Sequence, residues 1–379
     1  MTAVPSLAAG FALAAFPTLA GALPTGENVR HGDVTVSRPS AQSMQIDQRT
    51  AKGIVDWNGF SIAASERVNV TQPGASSVLL NRVVGGSPSE IFGRLTANGQ
   101  VFLTNPNGVL FAPGASVEVG ALFATTLGIS DADFVAGRYT FANGGGAGSV
   151  INRGSITTLN GYAALAAPQV VNEGTIVAHL GTAALAAGDR VTLDMVGDRL
   201  INVSVDQGAL NASIVHSGTI IADGGLVVMS ANSASSLLDG VINTSGVVRA
   251  NTLTARQGEI VLEASGGVTI TAAAQVEASG TIEVSVGLLT LPVGTILTVA
   301  GGVTITEDGI TLTDTARPDA VATPSSGPEI VGGGISGIVL REAQNRTVYF
   351  MTDSIRPLPP LEHEVHGAGI SVPAGVTLP

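Results

Sequence analysis

One phrase recurs along the second half of this chain, and its spacing restricts the fold more than any other feature. It reads GSITTLNGYAALAA from Gly154, GTIVAHLGTAALAA from Gly174, GTIIADGGLVVMSA from Gly218 and GTIEVSVGLLTL from Gly280. In each copy two glycines stand seven apart: Gly154 and Gly161, Gly174 and Gly181, Gly218 and Gly225, Gly280 and Gly287. A weaker copy opens at Gly246, with its second glycine displaced to Gly258. The first two copies lie 20 residues apart, and insertions separate the later ones. A unit this short, made of two or three strands, cannot bury its own apolar face, so neighbouring units must stack and share one core. That is a β-solenoid.

Within the strands the apolar period is two. Val191, Leu193 and Met195 alternate with Thr192 and Asp194, Ile201, Val203 and Val205 with Asn202, Ser204 and Asp206, and Ile282, Val284 and Val286 with Glu283 and Ser285. Such alternation marks strands with one buried side. Composition agrees. The 379 residues are 45% hydrophobic, 12% charged and only 4% aromatic, with a mean hydropathy of +0.40. The charged share is about half the usual value, and the background is too apolar for disorder. A narrow interior lined by Val, Ile, Leu and Ala accounts for the scarcity of rings. The expected fold is all-β, a right-handed parallel β-helix with an N-terminal cap and small extra-helical hairpins.

If residues from about 30 to 310 fill coils of roughly 22 residues, about a dozen coils make a rod near ~60 Å long. Both ends need caps, because an open solenoid end is an unpaired strand edge. The N-terminal cap is expected within residues 27–70. The insertions between Gly181 and Gly218, and between Gly225 and Gly246, are expected to be surface segments that carry function. TARPDAVATPSSGP, residues 315–328, reads as a linker, residues 338–351 as one hairpin, and the RPLPPLEHEVHG tail as irregular.

Net charge is −12 and the sequence pI about 4.7, with no run of Lys or Arg, which excludes a phosphate-binding face and hence a nucleic-acid partner. With no Cys there is no disulfide, thiolate metal site or Cys nucleophile, as suits a bacterial chain that crosses an oxidising compartment unfolded. Apolar Leu7–Phe16 followed by Ala20-Gly21-Ala22 reads as a signal peptide over residues 1–22 with cleavage after Ala22, although no Lys or Arg precedes Arg30.

Residues 57–130 have a grammar of their own. Asn81-Arg82-Val83 is followed by Gly85, then Gly93-x-Leu95, Asn98-Gly99, Asn105-Pro106-Asn107-Gly108 with Val109, and Ala124-Thr125-Thr126-Leu127. This ordered set resembles the N-terminal secretion domain of two-partner secretion exoproteins of the filamentous haemagglutinin type, also called the haemagglutination activity domain. The resemblance covers residues 24–140 by motif and continues through Asn152-Arg153-Gly154 and Asn172-Glu173-Gly174 to about residue 290. The family's upstream NPNL box is absent, and family members are usually much longer, so the chain is a small exoprotein, a fragment or a truncated gene product.

The resemblance implies a secretion domain with its cap over 23–140, a β-helix repeat region over 141–313, and a linker and tail over 314–379. It also implies export through the periplasm, recognition by a dedicated outer-membrane β-barrel with periplasmic domains, and a place outside the cell or on its surface as an adhesin or structural protein. Host or bacterial surface glycans or proteins are then further partners. Asn81, Gly93, Asn98, Gly99, Asn105, Pro106, Asn107 and Gly108 are the candidate secretion-motif residues. By its own chemistry Asn105 to Gly108 is a turn, since Asn and Gly tolerate positive φ and Pro fixes φ. Whether it only sets the register of a coil or also touches the transporter is open at this level.

Enzymatic chemistry is the rival, because polysaccharide lyases and galacturonases also use β-helices. Asp189, Asp194, Asp198 and Asp206, with Arg190 and Arg199, form the densest charged group, but alternation puts Asp194 and Asp206 on a solvated face. The EHEVH cluster with Glu362, His363, Glu364 and His366 lies in a Pro-rich tail without a rigid scaffold. Gly332, Gly334 and Gly337 spell GxGxxG with no βαβ unit behind them, and like Gly144–Gly146 they read as a flexible turn. The expectation is a protein without catalysis, cofactor or metal. A delivery domain of a truncated haemolysin or contact toxin is the other alternative.

Overall fold

The structure, a computed structural model, describes residues 23–159, 161–195, 201–232, 242–253, 257–271, 273–290, 296–299, 302–307, 310–315, 338–341 and 347–350. The expected signal peptide, most of the linker, the GxGxxG run, the EHEVH tail, Asp198 and Arg199 lie outside the described residues.

Short strands wind into a parallel β-helix with three faces. One turn comprises Val150–Asn152, Ser155–Thr158 and Ala163–Ala167, and the next Gln169–Asn172, Thr175–Val177 and Thr182–Ala187, each strand paired in parallel with its counterpart one turn earlier. Like stacks on like inside. Ile156, Ile176, Ile220, Val248 and Val276 succeed one another in register on the second face, and all are buried. Each side chain fills the space between its equivalents above and below, which excludes water from a long thin core.

Glycine turns the corners. Gly174 lies over the carbonyl of Gly154, Gly218 over that of Gly174, and Gly246 over that of Gly218. A second column runs Gly99, Gly120, Gly161, Gly181, Gly225, Gly258 and Gly280. A Cβ at most of these positions would enter the carbonyl beneath, so only Gly fits. The sequence pairing holds for Gly154/Gly161, Gly174/Gly181, Gly218/Gly225 and Gly246/Gly258. It fails for Gly280, which sits over Gly258 (Cβ to carbonyl oxygen 2.8 Å) and is therefore a second-column glycine, so Gly280 and Gly287 do not repeat the earlier pairs.

Antiparallel strands close both ends. Asn28–His31 lies against Lys52–Trp57, and Val34–Ser40 against Ser43–Gln48, each with an irregularity in its register. Arg38 grips Glu27 through two hydrogen bonds, of 2.7 and 2.8 Å, which hold the Glu27 carboxyl down to about 2. At the other end Ile310–Thr315 pairs antiparallel with Gly302–Glu307, and Ile338–Arg341 forms the expected hairpin with Thr347–Phe350. Among the described residues, the parallel strands of the second face from Ser43–Gln48 to Ile338–Arg341 number eleven, a rod of about 48 Å at the spacing of paired strands. That is shorter than the predicted dozen coils, because part of the chain leaves the helix.

The departing part builds a second core. Val191, Leu193, Ile201 and Val203 alternate as read, but Arg190–Met195 and Ile201–Gln207 are not turns of the solenoid. They form an antiparallel hairpin, joined by Tyr139–Ala142, that covers the outer side of the third face. The short helix Asp131–Ala136 packs beside it, capped by the Ser130 side chain and ended by Gly137 at φ +77°. Beneath lie Phe102, Phe123, Phe134, Tyr139 and Phe141, ring centroids 4.6–6.0 Å apart. The solenoid interior is poor in rings as expected; those rings instead glue the extra-helical sheet to its flank.

Candidate functional site

Asn105 to Gly108 forms the corner between Gln100–Thr104 and Val109–Phe111. The Gly108 N–H donates to the Asn105 carbonyl at 3.0 Å, closing a β-turn, and Gly108 has φ +117°. Asn105 is fully buried and uses both ends of its amide. Its Oδ1 accepts from the Asn107 N–H at 2.9 Å, and its Nδ2 donates to the Ser87 carbonyl and the Ser89 hydroxyl, both at 3.0 Å. Asn107 Nδ2 donates to the Gly85 carbonyl at 2.9 Å, tying the corner to the turn below. Only Pro106 and Asn107 of the four are exposed.

The glycine-rich loop read as a flexible turn caps this corner from above. A Cβ on Gly146 would stand 2.7 Å from the Pro106 carbonyl oxygen, and the Gly148 N–H donates to that carbonyl at 3.3 Å. Gly146 and Gly148 are thus close-approach glycines rather than slack, a correction that no local signal in GGGAG announces. Within this loop only Gly144 and Gly145 have open space around them.

The other motif residues hold the same part of the fold. Asn81 points into the core, where its Oδ1 accepts from Trp57 Nε1–H at 3.1 Å and its Nδ2 donates to the Phe102 carbonyl at 3.3 Å. The Asn98 amide clamps the Gln72 backbone, accepting from its N–H at 2.7 Å and donating to its carbonyl at 2.8 Å. Gly93 crosses the carbonyls of Ala63 and Glu66, and Gly99 starts the second glycine column. The structure therefore brings Asn105, Pro106, Asn107 and Gly108 together at one corner and places Asn81, Gly93, Asn98 and Gly99 at separate positions on the first turns. Every one of them has a structural task.

Sequence reading missed a buried polar ladder on the first face. Asn152 Oδ1 accepts from the Gly154 N–H at 3.1 Å, so its Nδ2 faces Asn172 Oδ1 at 2.8 Å. Asn172 Nδ2 then donates to His216 Nδ1 at 3.0 Å, leaving His216 Nε2–H to donate to the Val247 carbonyl at 3.1 Å. The sequence of donors fixes the imidazole as neutral and Nε2-protonated. Burial lowers its pKa, and hydrogen bonding offsets this only in part. The Asn-x-Gly pattern was the available signal; His216 in the same column carried none.

Charge gathers where the cap meets the helix. Arg82 bonds Asp56 at 2.7 Å and Asp131 at 2.5 Å, and Lys52 Nζ donates to the carbonyls of Phe134 and Val135 at 3.1 and 2.8 Å, with the Tyr139 ring centroid 5.4 Å away. On the hairpin, Asp194 and Asp206 are exposed, Asp206 accepts from Thr192 and Ser204, and Asp189 accepts from Asn143 Nδ2 at 2.8 Å. Asp189 and Asp206 thus serve turn and strand contacts. No helix of the described residues is long and apolar enough to cross a membrane.

The chain has counterparts among known proteins. Residues 20–284 match the family described as TPS secretion domain. A heme/hemopexin-binding protein of Haemophilus influenzae strain Rd is 48% identical over 104 residues, 27% of this chain and 11% of that protein. A second Haemophilus influenzae protein of the same name is 32% identical over 256 residues, 62% of this chain and 27% of that protein, so the match spans about a quarter of the longer relative. The solved HMW1 secretion domain from Haemophilus influenzae superposes with a TM-score of 0.60 at 28% identity, covering 74% of this chain and 75% of that one. A parallel β-helix with an antiparallel cap, an ordered Asn-Gly corner set and a family match over most of its length has one assignment: this chain belongs to the TPS secretion domain family, the two-partner exoproteins.

Proposed function

We propose that this chain is delivered to the periplasm, recognised through its first turns by an outer-membrane β-barrel with periplasmic domains, and released to act at the cell surface as an adhesin or structural rod. The observation that carries the export reading is that each turn is templated by the one before it. Thr175 N–H donates to the Gly154 carbonyl, Thr219 N–H to Gly174 and Val247 N–H to Gly218, each at 2.9 Å. A chain emerging in N-to-C order can therefore add hydrogen bonds and apolar burial turn by turn, and each addition opposes return through a barrel where no nucleotide drives transport. The unfolded leading segment would bind the transporter by adding a strand to an exposed edge.

The test is deletion of residues 24–70 in cells that express the barrel. Export should cease while periplasmic protein remains detectable; undiminished protein in the medium would refute the assignment of recognition to the cap. The surface role is read as binding rather than catalysis, in keeping with the names of the Haemophilus relatives. Breakdown of an acidic polysaccharide, with or without Ca²⁺, would overturn that part.

A further inference from the structure

The second core is assembled from two pieces of chain that lie on either side of two complete turns of the solenoid. Helix Asp131–Ala136 and strand Tyr139–Ala142 come first, and the hairpin Arg190–Met195 and Ile201–Gln207 comes after the turns built from residues 150–187. The pieces pair antiparallel, Tyr139 with Leu193 and Phe141 with Val191, and the Asn143 N–H donates to the Asp189 carbonyl at 2.7 Å. Thr182 pins the hairpin to the last of those turns, its hydroxyl accepting from the Ile201 N–H at 3.1 Å and donating to the Ile201 carbonyl at 3.3 Å.

What the helix, Tyr139–Ala142 and the hairpin together cover is the outer column Ile54, Leu80, Phe102, Phe123, Ala164 and Ala184, one residue from each of six successive turns. All six are buried. A solenoid can stack these turns without the hairpin, because their hydrogen bonds and inner core are complete. The outer column is then covered only by the helix and by Tyr139–Ala142, a strand that lacks its hairpin partner.

We infer that the hairpin is a clasp that sets the order of folding: the cover over the aromatic flank of the first turns stays incomplete until the chain has emerged as far as residue 207, and clasp closure then locks those turns together. The inference rests on the export reading above. Before closure the leading turns can still unstack. After it, unstacking any of the six turns must first expose the aromatic cluster, so closure is the step at which a partly exported chain is committed.

The test compares the full chain with Val191→Asp/Leu193→Asp, which puts charge on the clasp's buried side, and with Asp194→Ala on its exposed side. The double variant should raise the fluorescence of an apolar dye several-fold. It should also speed amide exchange at least tenfold in Gln100–Thr104 and Ala121–Thr125, leave Ser116–Val119 and Ser155–Thr158 protected, and cut exported protein at least fivefold. Asp194→Ala should match the parent. Thr182→Val, which removes only the pins to Ile201, should move the same readouts in the same direction and guards against a misfolded double variant. Equal loss of protection on all three faces in both variants, unchanged exchange on the third face, or unchanged export of a chain with an open clasp would each overturn the proposal. A parent chain that stays in the periplasm of barrel-expressing cells would instead sink the export reading.

Discussion

Replacing Gly181 with Ala tests whether glycine turns the corners for want of space or for conformational freedom. Gly181 has no positive φ, so an Ala there carries no backbone strain of its own, yet its Cβ would fall inside the carbonyl oxygen of Gly161, with the Gly161 carbonyl carbon at 2.7 Å. Relief requires the two turns to separate by more than an ångström at the corner, against an inter-strand spacing of about 4.8 Å. The Leu226 N–H, 2.9 Å from the Gly181 carbonyl, is the next bond to be disturbed. Overpacking against a backbone that cannot rotate away belongs at the top of the usual range, about 3 kcal/mol. Gly114, at φ +88° with open space around it, should cost about 1 kcal/mol as Ala through the left-handed strain alone. Gly74, with neither neighbour nor positive φ, should change stability by about 0.5 kcal/mol or less. Urea unfolding followed by far-ultraviolet circular dichroism ranks the three, and amide exchange at Leu226 localises the damage. If Gly181→Ala and Gly74→Ala unfold at the same urea concentration, the corner columns are not steric.

Acidification should weaken the chain through His216. Its folded pKa is depressed, so the unfolded state takes up the proton first; the contribution is complete above about 6.5, falls as pH drops through that value, and levels off below the folded pKa. His216→Asn, which can keep the ladder, should flatten the slope of stability between about pH 7 and 5, and an unchanged slope would place the titration elsewhere. Asn105→Ala should cost about 1–3 kcal/mol by orphaning the Asn107 N–H and the Ser87 carbonyl, and Asn107→Ala under about 1 kcal/mol. Export should track stability in both, and a stable Asn107→Ala chain that fails to leave the cell would show that the corner touches the transporter. Thr140 and Thr192 face each other across the clasp with hydroxyls 3.0 Å apart, at a separation of 52 positions in sequence. Thr140→Cys/Thr192→Cys should cross-link in this Cys-free chain and stabilise it by up to about 4 kcal/mol, reversibly on reduction, as a non-reducing gel and urea midpoints will report.

The repeat was legible because stacking imposes identical demands on equivalent residues. Gly161, Gly181 and Gly225 each meet a carbonyl from the turn below, and Ile156, Ile176 and Ile220 each fill the same slot, so the chain repeats itself where the geometry does. The same reasoning misplaced Gly280, because the next turn carries Ala274 where its predecessors carry a first-column glycine: the Gln275 N–H donates to the Gly246 carbonyl at 3.1 Å, and Gly280 follows as the second-column residue. The hairpin was readable as two strands but not as a departure from the rod: alternation records one buried side, and a strand over an outer flank has one just as a strand of the solenoid does. Asn105, Asn98 and Asn81 were visible as a motif. Their partners, the Ser87 carbonyl, the Gln72 backbone and Trp57, come from other turns, and nothing local encodes them.

The outward positions of the third face divide the molecule into a fixed head and a hydrated shaft. Ala164 and Ala184 lie under the hairpin, but one strand after Val228 the register passes to Val261 and then to Glu283, while the neighbouring column runs from Ala186 through Ser230 to exposed Glu263. Where the outside is already hydrated, a further turn needs only an inner side chain and a glycine corner. Length can thus be gained or lost beyond Val228 by whole turns without altering the portion that leads the way out, so reach and passage are free to evolve separately.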